Sequence, residues 1–166
     1  MTGVQTCALP ISKILSIGPA LIAFACDNEQ GDAQTKTQQL LATGAQLIRL
    51  PNALGKVCLK SLLSHLASLQ INEVLVEAGE TLNGALLAQH LIDELLIYYA
   101  PKLMGGAAKS LFAMPALTHM SQVTPLNIVD LCQIGTDIRL RAKPVYVSSS
   151  IVNTDYANSQ NSITGI

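Results

Sequence analysis

The sequence predicts an α/β domain with a mostly parallel sheet, flanked by helices and closed by a C-terminal antiparallel hairpin. Short apolar runs, which are typical of buried strands, alternate with segments whose apolar residues recur at helical spacing. Glycine or proline ends most of these segments, as expected at the boundaries of helices and strands. The alternation stops after Gly105 and Gly106, and two further apolar runs separated by Gly135 indicate the hairpin.

The first half of the chain contains two predicted strands and two predicted helices. A buried strand is expected at 20–26, and a helix over 33–43 stops at Gly44, which suits a helix C-terminus. The next strand spans 46–50 and is followed by proline. An amphipathic helix that runs to about Gln70 is indicated by leucines at three- and four-residue steps: Leu59, Leu62, Leu63, Leu66 and Leu69.

The second half is predicted to continue the alternation and then to change. A third strand is expected at 73–77, a helix at 81–91 and a fourth strand at 94–100, closed by proline. Residues 126–132 and 136–141 then form the two arms of the predicted antiparallel hairpin.

Composition bounds the classes of function. A chain of 166 residues, 49% of them hydrophobic, can bury the core of one domain. No apolar run approaches the roughly 20 residues of a membrane helix, so we expect no membrane partner. The formal net charge is −1, the basic residues are scattered and tryptophan is absent, which disfavours nucleic-acid binding.

The cysteines give no sign of metal or redox chemistry. Their spacing is wide and irregular, and no Cys/His cluster has the spacing of a zinc site. We therefore expect no metal, and buried thiols in a reducing cytoplasm. The four cysteines are Cys7, Cys26, Cys58 and Cys132.

Both ends of the chain are predicted to lie outside the domain, which would then span residues 13–146. Residues 1–12, MTGVQTCALPIS, lack the features of a signal peptide and closely resemble the in-frame translation of a common sequencing-library adapter. We expect them to be an artefact that contributes nothing to folding; the alternative is a genuine divergent N-terminus. Residues 147–166 are rich in serine and asparagine and are expected to form a flexible tail.

The segment 74–87 places a glycine between a predicted strand and a predicted helix. The first N–H groups of a helix lack intrahelical partners and carry the positive end of the helix dipole, so such a junction can bind phosphate. Gly79 would allow a ligand to approach closely, and Thr81 could cap the helix or offer its hydroxyl to a phosphate. On its own the pattern is more often an ordinary connection between a strand and a helix of an α/β domain. It is not the G-x-G-x-x-G fingerprint.

Two charged residues lie where ligands of open α/β sheets gather. Glu77 ends the predicted third strand and could accept hydrogen bonds from sugar hydroxyls or ring N–H groups. Its alternative role is a solvated or lysine-paired strand end. Lys102 follows the fourth strand and could face an anionic ligand, although such a lysine is more often a solvated loop charge.

Three stretches together resemble the reductase domain of the bacterial bifunctional riboflavin-biosynthesis deaminase/reductase. They are VEAGETLNGALL at 76–87, LIDEL at 91–95 and YAPKLMGG at 99–106. The segment GTDIRL at 135–140 is similar to the closing hairpin of that family. The combined pattern is far more specific than any one of its pieces.

The resemblance implies a dihydrofolate-reductase-like fold, NADPH as hydride donor and a homodimer. It also implies that 5-amino-6-(5-phosphoribosylamino)uracil is the substrate and that its ribose is reduced to a ribityl chain. By position, Glu77 matches the substrate-contacting glutamate of the family, and no protein nucleophile is required. The resemblance places the NADPH contacts at Gly79, Glu80, Thr81, Leu82, Asn83, Gly84 and Ala85.

The chain departs from the family in two respects. Glu80 stands where the family usually has proline, and its carboxylate would repel a nearby pyrophosphate unless it turns away. The zinc deaminase domain and the first part of the reductase domain have no counterpart in this sequence. We therefore expect that this chain is a partial reductase domain and that it does not catalyse hydride transfer by itself. The alternatives are a related reductase with another substrate, or a non-catalytic nucleotide-binding or dimerisation remnant.

Overall fold

The computed structural model describes residues 13, 15, 18–25, 32–106 and 108–146. The chain divides into two compact units, one ending at Val76 and the other beginning at Glu77. The expectations for residues 1–12 and 147–166 lie outside the described residues. Among the helices that are described, none is long and apolar enough to cross a membrane.

The first unit contains a parallel strand–helix–strand arrangement. Strand β1 (Leu21–Phe24) pairs in parallel with β2 (Gln46–Arg49), and helix α1 (Asp32–Ala42) precedes β2. Gly44 has a φ of 84°, the left-handed conformation expected of a glycine just after a helix. These elements confirm the predicted strand–helix–strand order.

Helix α2 (Leu59–Ser68) follows a tight turn and matches the predicted amphipathic helix. The backbone N–H of Gln70 donates to the carbonyl of Ala67 and that of Ile71 to the carbonyl of Leu66, which is the Schellman ending of a helix. Gln70 has a φ of 63°, so a residue with a Cβ occupies the position where glycine is favoured. The helix therefore stops before Gln70 because its last carbonyls are satisfied by the turn.

Gln70→Gly should raise the thermal midpoint. Relief of the left-handed conformation contributes about 1 kcal/mol, which corresponds to roughly 2–4 °C in a domain of this size. Differential scanning calorimetry of both proteins measures the shift. Gln39→Gly is the matched control, because Gln39 lies inside α1, where glycine should lower the midpoint. A lower midpoint for Gln70→Gly would contradict the argument.

The strand predicted at 73–77 is not formed. Residues 71–79 carry no strand, and Leu75 is 78% exposed. A strand needs a neighbouring ladder to pair its N–H and C=O groups, and none of the described strands pairs with this segment, which spans the boundary between the two units. The apolar run was correctly recognised, but an apolar run does not specify a partner.

The second unit begins with helix α3 (Glu80–Ala88), which the sequence predicted at 81–91. It ends earlier because His90, with a φ of 56°, forms a second Schellman ending, in which the N–H of Leu91 donates to the carbonyl of Leu86. Strand β3 (Leu95–Tyr99) follows.

The predicted C-terminal hairpin is confirmed and is longer than expected. Strands β4 (Leu126–Ile134) and β5 (Asp137–Pro144) pair antiparallel, with Gly135 and Thr136 between them. The sheet order is β3–β5–β4, and β3 also pairs antiparallel with β5. The α/β class is therefore confirmed, but among the described strands parallel pairing is confined to β1 and β2.

Register gives the second sheet two chemically different faces. Leu95, Ala142 and Ile128 lie side by side in one row, and apolar residues continue along that face. The opposite face carries ion pairs: Arg139 Nη2 lies 2.8 Å from Asp130 Oδ2, and Arg141 is similarly paired with Glu94. The hydrogen bond to Asp130 raises the pKa of the Arg139 guanidinium further above its usual value.

Candidate functional site

The residues that the sequence singled out for ligand binding lie at the start of the second unit, except Lys102, which is exposed in the loop after β3. Glu77 and Ala78 lead into α3, whose N-cap is Gly79. Glu77 is exposed, and its carboxylate has no hydrogen bond or ion pair with the described residues. The sequence had predicted that Glu77 ends a strand. In the structure it lies on a segment that forms no strand.

Gly79 leaves open space beside the first turn of α3. A Cβ placed on it would meet no atom within 4 Å, and its φ of −82° and ψ of 172° are accessible to any residue. Neither packing nor backbone conformation therefore requires glycine at this position. The space is compatible with a ligand that approaches the free N–H groups of the helix.

Thr81 does not cap the helix. The N-cap is Gly79 and no side chain caps the first turn, so Thr81 lies two residues beyond the capping position. Its side chain is exposed and makes no hydrogen bond to the described residues. Its hydroxyl thus remains free for the other role predicted from the sequence, contact with a phosphate.

The carboxylate of Glu80 is held by a distant loop. Its Oε2 accepts hydrogen bonds from the backbone N–H and the hydroxyl of Ser110, at 2.9 and 2.8 Å. The backbone carbonyl of Glu80 accepts a further bond from the N–H of Ala113 at 2.9 Å. We call residues 108–113 the strap, because they run against the first turn of α3 and are fastened to it by these bonds.

Two more residues of the predicted cofactor segment contact the strap. The amide of Asn83 donates to the carbonyl of Leu111 at 3.1 Å and to that of Ala78 at 3.3 Å. Gly84 lies so close to the strap that a Cβ would come within 2.2 Å of the carbonyl oxygen of Ala113. Gly84 is glycine because the strap needs that space.

Sequence reasoning missed Ser110 and the strap. The contact between Ser110 and Glu80 joins residues 30 positions apart, and neither periodicity nor a local motif reports such a distance. The one available sign in the sequence was Glu80 itself, a carboxylate at the start of the helix.

The other end of α3 is fastened by the last described residue. The rings of His90 and Tyr146 stack with centroids 4.3 Å apart, and the Tyr146 hydroxyl donates to the carbonyl of Ile92 at 3.0 Å. Partial burial, reinforced by the negative charge of Asp93, raises the pKa of the Tyr146 phenol. The phenol therefore stays protonated and keeps its donor role across the neutral range.

The first unit also contains a perturbed thiol. The hydroxyl of Ser61 donates to Cys58 Sγ at 3.1 Å and lowers the pKa of that thiol, directly before α2. Within the described ranges, no three His, Cys, Asp or Glu side chains are arranged to hold a metal ion. The start of α3 is the candidate site, as a place for ligand binding.

Comparison with known proteins identifies a family. The family model of the RibD C-terminal domain matches residues 19–140. The chain is 45% identical over 89 residues to the 5-amino-6-(5-phosphoribosylamino)uracil reductase of Buchnera aphidicola subsp. Acyrthosiphon pisum, a match that covers 54% of this chain and 43% of that protein. It is 38% identical over 91 residues to the riboflavin biosynthesis protein RibD of Escherichia coli, covering 55% and 25%. The chain thus spans less than half the length of these relatives.

Solved structures agree with the predicted fold. Acinetobacter baumannii RibD superposes with a TM-score of 0.58 at 36% identity, over 65% of this chain and 29% of that one. A pyrimidine reductase-like protein from Corynebacterium diphtheriae superposes with a TM-score of 0.63 over 78% of this chain and 50% of that one. Its identity of 19% supports the fold alone.

Proposed function

Because this chain belongs to the RibD C-terminal domain family, we propose that it carries part of the active site of a 5-amino-6-(5-phosphoribosylamino)uracil reductase of riboflavin biosynthesis. The observation that carries the proposal is the 45% identity to a protein named for that activity. NADPH would supply the hydride that reduces the opened ribose to a ribityl chain. The protein would position NADPH against the sugar carbon that receives the hydride.

The start of α3 supports a role in holding a phosphate of NADPH. Gly79 has open space beside it, Thr81 has a free hydroxyl, and the N–H groups of the first turn carry the positive end of the helix dipole. In this proposal Gly79, Thr81, Leu82 and Ala85 face the cofactor. Glu80, Asn83 and Gly84 belong to the same part of the helix, and each of them also contacts the strap.

Titration of the chain with NADPH tests the proposal. Protein-detected NMR up to millimolar NADPH should show saturable shifts centred on residues 79–85. Gly79→Val should abolish them, because its side chain would fill the space that the ligand needs while its backbone conformation suits valine. Melting curves confirm that the variant is folded. Equal NADPH affinity in a folded Gly79→Val protein would refute the proposed site.

Glu77 is proposed to bind the substrate and not the cofactor. In a protein that carries the whole reductase domain, Glu77→Gln should raise the substrate KM or lower kcat about tenfold to hundredfold, the loss of one charged hydrogen bond. The Kd for NADPH should change little. Glu73→Gln, at another exposed glutamate of the same segment, is the control. Equal losses for both ligands would contradict the assignment.

We propose a homodimer, in keeping with the family resemblance. The apolar face of the second sheet supports it, because Ile128 and Leu131 are 60% and 62% exposed, and an apolar patch of this kind is typical of an interaction surface. Light scattering after size exclusion measures the mass.

We also propose a cytoplasmic location, which is supported by the free thiols of Cys58 and Cys132.

Residues 13–146 are proposed to form the partial reductase domain. The family match over 19–140 and the anchoring of Tyr146 to the end of α3 support this division.

A further inference from the structure

Glu80 places a negative charge at the entrance of a site that is proposed to bind an anion. It is the first residue of α3, directly after Gly79 and directly before Thr81. A carboxylate free to move over these residues would repel a phosphate held by the same N–H groups.

The strap provides a place for that charge. Both donors of Ser110, its N–H and its hydroxyl, point to the same oxygen, Oε2 of Glu80. The hydroxyl has one hydrogen, for which the carbonyl of Phe112 at 3.0 Å is a second acceptor, whereas the N–H of Ser110 donates to Oε2. Hydrogen bonds to a carboxylate are among the stronger ones in proteins, so these two bonds hold the side chain in one orientation.

The strap in turn is fastened by contacts that do not involve this carboxylate. Asn83 binds the carbonyl of Leu111, the N–H of Ala113 donates to the backbone of Glu80, and Gly84 packs against Ala113. Ser110 would therefore keep its position against α3 if the Glu80 side chain were changed. Ser110 and Glu80 can be altered without dismantling the strap.

Resting on the proposed NADPH role of the α3 start, we propose that Ser110 is a positioning residue that holds the Glu80 carboxylate away from the phosphate site. Ser110 does not touch the cofactor in this arrangement. It acts through Glu80, and its effect on NADPH affinity depends on the negative charge of that residue.

The double substitution of Ser110 and Glu80 separates this role from a purely structural one. Ser110→Ala removes the hydroxyl donor and keeps the backbone N–H bond to Glu80, so NADPH binding should weaken by up to about fivefold, the effect of one unit charge on another at about 4 Å in water. The loss should shrink at high salt, because exposed charges are screened. Adding Glu80→Gln to Ser110→Ala should restore the affinity, and Ser110→Thr, which keeps a hydroxyl, should retain it.

Controls keep the outcomes distinct. Ser121→Ala removes a hydroxyl from an exposed serine elsewhere in the second unit and should leave NADPH affinity unchanged. Tryptic cleavage after Lys109 reports whether the strap stays fastened, and it should be unaltered in Glu80→Gln.

Two results would overturn the inference while leaving the proposed function intact. One is an unchanged NADPH Kd in Ser110→Ala. The other is a loss that persists when Glu80→Gln is added, since that would mean that the hydroxyl acts through the shape of the strap. If the unaltered chain shows no saturable NADPH binding, the proposed function fails and the inference fails with it.

Discussion

Gly84→Ala should lower the thermal midpoint by roughly 5 °C, corresponding to the 1–3 kcal/mol that overpacking typically costs. The new methyl group would come within 2.2 Å of the carbonyl oxygen of Ala113 and 2.9 Å of its carbonyl carbon. These are backbone atoms, so no side-chain rotation can relieve the contact. The strap must move away from α3, which would also strain its bonds to Glu80 and Asn83.

The sign of this effect makes the test decisive. Inside a helix, glycine to alanine normally stabilises by about 1 kcal/mol, so a raised midpoint for Gly84→Ala would show that the strap does not lie against α3. Gly105→Ala is the control and should change the midpoint little, because nothing lies within 4 Å of its Cβ position. Calorimetry gives the midpoints, and faster tryptic cleavage after Lys109 in Gly84→Ala would report displacement of the strap.

Ala142→Asp should have the largest effect on stability. Ala142 is 0% exposed and lies between Leu95 and Ile128 in the centre of the second sheet. An unpaired carboxylate at that position would cost about 3–5 kcal/mol at neutral pH. Urea unfolding followed by circular dichroism measures the loss.

The loss should depend on pH in a definite direction. Burial raises the pKa of a carboxyl group, so in Ala142→Asp the folded state binds a proton more readily than the unfolded state. The stability difference from the unaltered chain should therefore be smallest at acid pH and should grow as pH rises above about 4. Asn127→Asp adds the same charge at an exposed position of β4 and should change stability little. A pH-independent or small loss in Ala142→Asp would show that this position is open to water.

The elements that sequence predicted well are those whose signal is local. The leucine spacing of α2, the glycine after α1 and the glycine between β4 and β5 each act on their immediate neighbours, and the structure places all three as expected. The strand expected at 73–77 failed for the opposite reason. Val74 and Val76 favour an extended chain, but whether an extended chain becomes a strand depends on a partner that the pattern does not name.

The start of α3 was predictable, but the ligand contacts expected there stay a prediction, and the contacts inside this region could not be read from the sequence. The glycine that ends an apolar run marked the start of α3, and family resemblance indicated which residues to consider. Two roles could not be read from the sequence, because both depend on the strap. Gly84 makes room for Ala113, and Glu80 is bound by Ser110. These contacts exist only after the chain has folded back on itself.

The register of β4 contains one irregularity with an evolutionary consequence. Ile128 lies opposite Ala142 and Asp130 opposite Arg141, so Val129 is an extra residue, a β-bulge. In a regular strand, deletion of one residue turns every following side chain to the other face. Deletion of Val129 would instead close the bulge, leaving Leu131 opposite Leu140 and Asp130 beside Arg139. The length of this hairpin can thus change by one residue between descendants without exchanging its apolar and charged faces.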